Sequence, residues 1–250
     1  MEDMSIESYL EQGGVLTSPS NAPARYRGEL MRLMASFVDS ELAGSAGFAD
    51  VINTAPGIKQ RIAAARIVLE KADHAERVLN IMGEFGADMG RYAVHQPWAE
   101  RLDRNADLGA ARHGGDMRLS VFHYPFTGWT DAVVMNVLMG LATGVQLEEL
   151  VKVSYGPLAT AFREIAPREN RHAELGLEGL ERIAADPAEK EVAKASIAYW
   201  RPRVAVTFGV AGSARFDTLK RFGLRHTPNE DLLARWTDKV DSKLSALGLG

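Results

Sequence analysis

The chain has 250 residues, 46% of them hydrophobic and 25% charged, and its 29 basic and 33 acidic side chains give a formal charge of −4. These proportions are typical of a globular protein and exclude a disordered or collagen-like chain. A slightly acidic chain lacks the concentrated basic stripe of nucleic-acid-binding proteins. Because the chain has no cysteine, disulfides, thiolate metal sites and a thiol nucleophile are excluded, and any metal must be held by His, Asp and Glu.

The sequence predicts a cytoplasmic protein that does not bind a membrane. Its first residues are acidic and no apolar stretch follows them, so we expect no signal peptide. The longest apolar run, Ala132–Leu147, is interrupted by Asn136 and Gln146 and is too short to cross a bilayer. The chain has no internal repeat and no low-complexity linker. We therefore expect residues 1–250 to form a single domain.

Apolar residues recur at a spacing of about 3.6 in most of the chain, and alternating β-branched runs are nearly absent, which predicts an all-α helical bundle. Asp131 is expected to cap the third long helix, and Thr227 is expected to form a capping box with Glu230 at the last one. The predicted helices span about 25–48, 57–85, 130–151, 157–185, 189–210 and 229–247.

The pattern breaks down at about residues 86–128, where we expect an irregular segment with at most a short helix near 98–102. Three histidines of this segment are expected to be solvated loop residues, namely His95, His113 and His123. Five arginines of the segment either serve solubility or bind the phosphates of a CoA ligand. They are Arg91, Arg101, Arg104, Arg112 and Arg118.

Three predicted helices carry ionisable residues on the face that should be apolar. These residues are Glu41, Lys71, His74, Glu169 and His172. A buried charge without a partner costs several kcal/mol even after the protein relaxes. A metal, a mutual ion pair or water must therefore compensate these side chains.

Glu169 and His172 form a Glu-x-x-His motif, which places a carboxylate and an imidazole one turn apart on one helical face. Ferritin-like di-iron bundles use this motif from each of two helices and one carboxylate from each of the other two. Glu41 and His74 lie on the inner faces of two other predicted helices, and this combination favours a metal site. A solvated helix face or a buried ion-pair cluster has the same spacing, so that alternative stays open.

Six short stretches carry a resemblance to a known family. They are Asp39-Ser40-Glu41-Leu42, Lys71-Ala72-Asp73-His74, Trp129-Thr130-Asp131, Ser154-Tyr155-Gly156-Pro157, Glu169-Asn170-Arg171-His172 and Tyr199-Trp200-Arg201-Pro202. Over roughly residues 30–248 the chain resembles the phenylacetic acid catabolic family of ferritin-like di-iron oxygenases. The resemblance implies a ferritin-like four-helix bundle with additional C-terminal helices. It also implies an iron cofactor, monooxygenase or epoxidase activity on an aromatic acyl-CoA, a separate reductase and a homologous partner subunit.

The resemblance maps six metal-ligand positions onto this chain, and two of them are altered. The glutamate expected three residues before His74 is Lys71, and the carboxylate expected in the third helix falls at Gly140. The charge at the matched positions is therefore −1 instead of −4, which is too little to neutralise two divalent ions. The four ligands that are kept are Glu41, His74, Glu169 and His172.

Two arrangements of this altered site stay open, and if the protein is an active enzyme an apolar cavity between the helices holds the substrate ring. In the first, Lys71 bridges Glu41 and Glu169 in a metal-free core, as expected of a non-catalytic structural or scaffolding subunit. In the second, a π-bulge turns Glu70 inward and Lys71 outward. Iron would then be bound by Glu41, Glu70, His74, Glu169 and His172. The candidate catalytic residues are Glu41, Lys71, His74, Glu169 and His172.

Overall fold

The computed structural model of the protein describes residues 5–94 and 97–250. These two ranges contain α-helices, short 3-10 helices and turns but no strand, and one isolated β-bridge pairs Leu16 with Tyr155. The α-helices are α1 (Ile6–Glu11), α2 (Ala24–Val51), α3 (Ile58–Glu84), α4 (Arg91–Val94), α5 (Trp129–Leu150), α6 (Gly156–Ala184), α7 (Pro187–Ala205), α8 (Ala214–Arg221) and α9 (Asn229–Ala246). The 3-10 helices are Pro19–Asn21, Ile52–Thr54, Pro97–Ala99, Ser120–His123 and Val206–Phe208.

Four long helices form the predicted bundle. α2 packs against α3, α3 against α6, and α6 against α5, while α7 and α9 pack on α5. The predicted apolar faces meet in its interior, where Met34 of α2, Val78 of α3 and Phe162 of α6 belong to one buried cluster. The all-α prediction is confirmed, and the arrangement is consistent with a ferritin-like bundle that has additional C-terminal helices. The short helices α1 and α8, which pack against each other, were not predicted.

α5 is the core helix of the bundle. Its length and composition would allow it to cross a membrane, but most of its residues are buried by the other helices. The buried residues lie on all sides of the helix, because α6, α7 and α9 surround it. A core helix that is buried all round is apolar all round, which explains the long apolar run in the sequence.

α5 and α6 approach each other closely at Gly140. A Cβ atom at this position would lie 3.0 Å from the Cβ and 3.2 Å from the Cα of Ala173. One turn further along the contact, the side-chain amide of Asn136 donates to the carbonyl oxygen of His172 at 3.0 Å. The position at which the resemblance places a third-helix carboxylate is therefore a close contact between helices, and a side chain there would require Ala173 to shift by a few tenths of an ångström.

Of the two histidines that the structure describes in the irregular segment, one is buried. His123 is 1% exposed, because the 3-10 helix Ser120–His123 packs against α2 and α7. Burial lowers the pKa of His123 to about 4, and the nearby Arg118 and His113 add to the shift. The expectation that His123 is solvated is therefore wrong, whereas His113 is exposed as expected. His95 lies outside the described residues.

The expected capping box at the start of α9 is not formed. The helix has Pro228 as its N-cap, and Thr227 instead binds the buried carboxylate of Glu149. The backbone N–H of Thr227 donates to Glu149 Oε2 at 2.8 Å, and its hydroxyl donates to Oε1 at 2.8 Å. The threonine thus ties the start of α9 to the end of α5, and this long-range contact replaces the local cap.

Asp131 joins α5, α7 and the irregular segment. Arg104 donates two hydrogen bonds of 2.8 Å to its two oxygens, and Ser196 and Trp200 donate to Oδ1 at 2.6 and 2.8 Å. The backbone N–H of Thr127 donates to Oδ2 at 3.1 Å. The N-cap of α5 is Gly128, with no side-chain hydrogen bond at the cap, so the expectation that Asp131 caps this helix is wrong. Burial raises the pKa of Asp131, but these donors outweigh burial and hold the pKa below its ordinary value.

We expect Asp131→Asn to lower the free energy of unfolding by about 2–4 kcal/mol, because the charged acceptor of several buried donors is lost. The exposed Asp238 of α9 is the matched control, and Asp238→Asn should change stability by less than about 0.5 kcal/mol. Folding lowers the pKa of Asp131, so its contribution is present above about pH 4 and is lost as the pH falls through the folded value. The difference in the free energy of unfolding between variant and wild type, measured by chemical unfolding, should therefore decrease in acid. Equal stability of the two proteins at pH 7 would contradict this role.

Candidate functional site

The predicted site residues of three helices meet in the centre of the bundle. α2 contributes Glu41, α3 contributes Lys71 and His74, and α6 contributes Glu169 and His172. Each of the five residues is at most 7% exposed. The helical spacing explains the convergence, since each residue lies on the stripe that its helix buries. We call these five residues the central cluster.

Lys71 occupies the middle of the central cluster. Its Nζ donates to Glu41 Oε1 at 3.0 Å and to Glu169 Oε1 and Oε2 at 3.0 and 3.1 Å. Burial lowers the pKa of Lys71, but the charges of Glu169 and Glu41 outweigh burial and raise the pKa above its ordinary value. The lysine is therefore a charged ammonium that cross-links α2, α3 and α6.

The two histidines complete the hydrogen bonding of the carboxylates. His74 Nδ1 lies 3.2 Å from Glu41 Oε2 and 3.0 Å from Glu169 Oε1, so this nitrogen carries the proton and donates. Burial lowers the pKa of His74, yet the two carboxylates outweigh it and the pKa is raised. Burial raises the pKa of Glu169, but the charge of Lys71 and the hydrogen bonds with both histidines hold this pKa well below its ordinary value. His74 Nε2 has no hydrogen-bond partner among the described residues.

Glu70 lies at the edge of the central cluster. Its Oε2 is 2.7 Å from His172 Nε2, while His172 Nδ1 is 3.2 Å from Glu169 Oε1. Both ring nitrogens of His172 thus face carboxylate oxygens, and each can donate. The Glu70 side chain is 25% exposed, and α3 is regular α-helix over Ile58–Glu84 without a π-bulge. Lys71 and not Glu70 therefore faces the carboxylates of α2 and α6.

The carboxylates of this arrangement have partners without a metal. Glu41 and Glu169 accept hydrogen bonds from the ammonium of Lys71 and face the ring of His74, and Glu70 faces the ring of His172. Buried ions are tolerated when they are paired and hydrogen-bonded in this way.

The residues present do not fit a di-iron centre. The same carboxylate oxygens that would bind the metals accept hydrogen bonds from the Lys71 ammonium, which would repel a divalent ion at this distance. The remaining ligand position is Gly140, which has no side chain to bind a metal and lies in close contact with Ala173. A single metal ion has three potential ligands, because oxygen and nitrogen atoms of Glu41, His74 and Glu169 lie within 4.8 Å of one another.

A cavity of about 460 Å³ opens beside the central cluster, between α2, α5 and the segment around α8. Its inner wall is largely apolar, as in ligand sites of comparable size, and it reaches Glu41. A second, internal cavity of about 30 Å³ borders Lys71 and Glu169. The side chains of Phe122, Met139 and Thr143 line both cavities and separate them. The central cluster is thus close to a space large enough for an aromatic ring.

Four arginines line the large cavity, and the sequence analysis identified one of them. They are Arg32, Arg112, Arg215 and Arg225. Arg225 donates to Gln146 Oε1 of α5 at 2.6 Å, and burial lowers its pKa. The sequence signal that could have pointed to Arg225 is Gln146, which interrupts the apolar run of α5. A polar residue on a buried helix needs a hydrogen-bond partner.

The other arginines of the irregular segment hold the fold. Arg104 binds Asp131, and Arg118 donates to the carbonyl oxygens of Trp98 and Glu100 at 2.9 Å. Arg101 donates to the carbonyl oxygens of Trp98 and Ala43 at 2.6 and 3.0 Å. Arg91 donates to a backbone carbonyl oxygen as well. Of the five arginines considered as phosphate ligands, Arg112 is the one that lines the cavity.

Comparison with known proteins agrees with this architecture. The family model described as "Phenylacetic acid catabolic protein" matches residues 6–250. One of the subunits of the 1,2-phenylacetyl-CoA epoxidase of Escherichia coli (strain K12) is 26% identical over 256 residues, which cover 99% of this chain and 76% of that relative. The resemblance deduced from the short sequence stretches is confirmed, since the match spans α1 through α9. The chain therefore belongs to the phenylacetic acid catabolic protein family, whose members include a component of an aromatic acyl-CoA oxygenase.

Proposed function

We propose that this chain is a cytoplasmic, non-catalytic subunit of an oxygenase complex. In this proposal it binds an aromatic acyl-CoA thioester. It assembles with a homologous catalytic subunit, which receives electrons from a reductase. The observation that carries the proposal is the position of Lys71, whose ammonium donates to three carboxylate oxygens of Glu41 and Glu169. In this arrangement the central cluster is a structural ion network, and the chain contributes binding and assembly to the complex.

The large cavity supports the choice of ligand. Its apolar inner wall, with Phe37, Phe122 and Met139, suits an aromatic ring, and burial of apolar surface would supply most of the binding free energy.

Two arginines line the cavity and already have partners: Arg112 donates to the carbonyl oxygen of Arg118 at 2.7 Å and to Ser36 Oγ at 3.0 Å, and Arg215 donates to Glu29 Oε2 at 2.9 Å. Their remaining N–H groups would meet the phosphates of CoA, which accept hydrogen bonds from guanidinium groups. The relative in Escherichia coli is named as a subunit of a phenylacetyl-CoA epoxidase. That name supports an aromatic acyl-CoA as the ligand of this chain.

Arg225 is the residue that we infer to orient the thioester. Gln146 is the only side chain among the described residues that accepts a hydrogen bond from it, so the guanidinium keeps donors for a ligand. A carbonyl oxygen placed in this cavity would accept from Arg225. The pairing of Arg225 with Gln146 holds the guanidinium against α5, which reduces the entropy lost when a ligand binds.

A second candidate function is a metal-dependent monooxygenase or epoxidase that acts on the same thioester. It is favoured by the close approach of ligand atoms from Glu41, His74 and Glu169. Glu70 and His172 would complete the set of iron ligands after Lys71 moves away. This candidate requires the loss of the three hydrogen bonds of Lys71, and it therefore ranks below the metal-free subunit.

The first test concerns the stability of the central cluster. We expect Lys71→Met to lower the free energy of unfolding by about 3–5 kcal/mol, because two buried carboxylates lose their cation. The matched control is Lys194→Met, since Lys194 pairs with Glu191 at 2.8 Å on the surface and such pairs contribute about 0–1 kcal/mol. Chemical unfolding monitored by circular dichroism measures both variants. Equal losses in the two variants would contradict the ion network.

The second test concerns metal content. Wild type expressed and purified with ferrous iron should hold iron far below one atom per chain, because Lys71 occupies the ligand oxygens. Lys71→Glu restores a second Glu-x-x-His motif, and we expect it to retain about one iron per chain. Metal analysis by mass spectrometry, together with an unfolding curve to show that each protein is folded, gives the result. Stoichiometric iron in folded wild type would overturn the metal-free proposal and favour the oxygenase.

The third test concerns the thioester. Phenylacetyl-CoA titrated into wild type in a calorimeter should bind, and Arg225→Met should raise the dissociation constant about tenfold through loss of a charged hydrogen bond. Arg235→Met is the control, because Arg235 lies on the exposed face of α9. Free CoA and phenylacetate separate the contributions of the two ends of the ligand. The assignment of the cavity would be wrong if phenylacetyl-CoA did not bind or if both variants bound it as tightly as wild type.

A further inference from the structure

The large cavity has an exposed end and a buried end. Three arginines of its lining are exposed and mark its mouth, namely Arg32, Arg112 and Arg215. Glu41 and Met139, which also line the cavity, are 4% and 9% exposed and mark its inner end. A ligand with phosphates at one end and an aromatic ring at the other would therefore enter ring first, because the charged end stays hydrated and the ring is removed from water.

Phe122 lies at the inner end, where it lines both the large cavity and the internal cavity of about 30 Å³. It also lies close to Lys71, since a Cβ atom at Gly44 of α2 would be 3.4 Å from the Phe122 ring and 3.3 Å from Cδ of Lys71. Because Gly44 has no side chain, the ring and the lysine stem can approach the same point of α2. The ring therefore belongs to the wall between the large cavity and the central cluster.

The chain on both sides of Phe122 is held in place. Val121 and His123 are each 1% exposed, and the backbone N–H of Leu119 donates to Ser40 Oγ of α2 at 3.0 Å. The N–H of Phe122 itself donates to the carbonyl oxygen of Leu119 at 3.0 Å, which closes a turn of the 3-10 helix. The ring therefore cannot move away from a ligand without unpacking two buried neighbours.

The other two residues that line both cavities adapt more easily to a ligand. Met139 has an unbranched, flexible side chain that fits itself to neighbours of different shape, and the side chain of Thr143 is short. A phenyl ring keeps its shape, and a closely packed interior does not accept an extra group without strain. Of the three residues, Phe122 is thus the one that limits how far a ligand reaches.

We propose that Phe122 determines the specificity of the large cavity, because its ring sets the depth of the cavity and admits an acyl group with one aromatic ring. This inference rests on the proposed binding of an aromatic acyl-CoA. The ring of phenylacetyl-CoA would pack against the ring of Phe122, and an edge-to-face contact between the two rings would add to the binding. A second ring in line with the first would overlap with Phe122.

Calorimetry with two thioesters tests this depth limit. They are phenylacetyl-CoA and 4-biphenylacetyl-CoA, whose second ring extends the first. Wild type should bind phenylacetyl-CoA at least about 100-fold more tightly, since a single methylene beyond the size of a pocket already costs about 10–200-fold. Phe122→Ala removes a ring from the wall at the place where the longer ligand gains one. The two dissociation constants of this variant should therefore lie within about tenfold of each other.

Phe216→Ala is the matched control. Phe216 of α8 is half-buried like Phe122, and in the part of the chain that the structure describes it borders the large cavity without bordering the internal one. Its removal should therefore leave the ratio of the two dissociation constants as in wild type. Phe122→Leu keeps an apolar but shorter side chain and disturbs the packing less, and it should lower the ratio at least about tenfold. Circular dichroism checks that each variant is folded.

The results separate the role of Phe122 from the proposed function. If wild type bound no phenylacetyl-CoA, both the proposed function and the role of Phe122 would be overturned. If wild type bound phenylacetyl-CoA and the ratio stayed unchanged in folded Phe122→Ala or Phe122→Leu, the role of Phe122 alone would be overturned. The same holds if wild type bound both thioesters equally well, or if Phe216→Ala changed the ratio as much as Phe122→Ala.

Discussion

The buried ammonium of Lys71 is the interaction on which the centre of this bundle depends. It donates to Glu41 of α2 and Glu169 of α6 at 3.0–3.1 Å, and it is the cation that offsets two carboxylates in a dry interior. A divalent metal cross-links helices in the same way, by drawing carboxylates from several helices to one point. An ammonium can take over this structural role because it supplies positive charge and three donors, but it has no open coordination position and no redox chemistry.

The second constraint is the close contact of α5 and α6 at Gly140, which also works against a metal site. α5 approaches α6 so closely that a Cβ at Gly140 would meet Ala173 at 3.0 Å. Close packing contributes stability through dispersion and burial, and it uses the space that a carboxylate of α5 would need. The position at which the resemblance places a carboxylate is thus part of the contact between α5 and α6. Together with Lys71, it leaves a cluster built by three helices instead of four.

Sequence periodicity predicted the long helices and the convergence of Glu41, His74 and Glu169, because a helical stripe determines which residues face inward. Periodicity could not predict contacts between distant segments. Thr227 binds Glu149 instead of capping its own helix, and His123 is buried by a 3-10 helix whose packing is tertiary. The arginines of the cavity come from separate segments for the same reason. The orientation of Lys71 was left open by spacing alone, since a shift of one residue turns a side chain by about 100°.

The ion network and the cavity depend on each other through Glu41. This residue lines the large cavity, and its two oxygens accept hydrogen bonds from Lys71 and His74. An unpaired carboxylate at the end of an apolar cavity would hold water and oppose an aromatic ring, because removing that water from the charge is costly. With its charge already offset by Lys71, Glu41 forms a wall against which a ring can pack. In the metal-free subunit that we propose, the ammonium of Lys71 would therefore keep the cavity suitable for an aromatic ring.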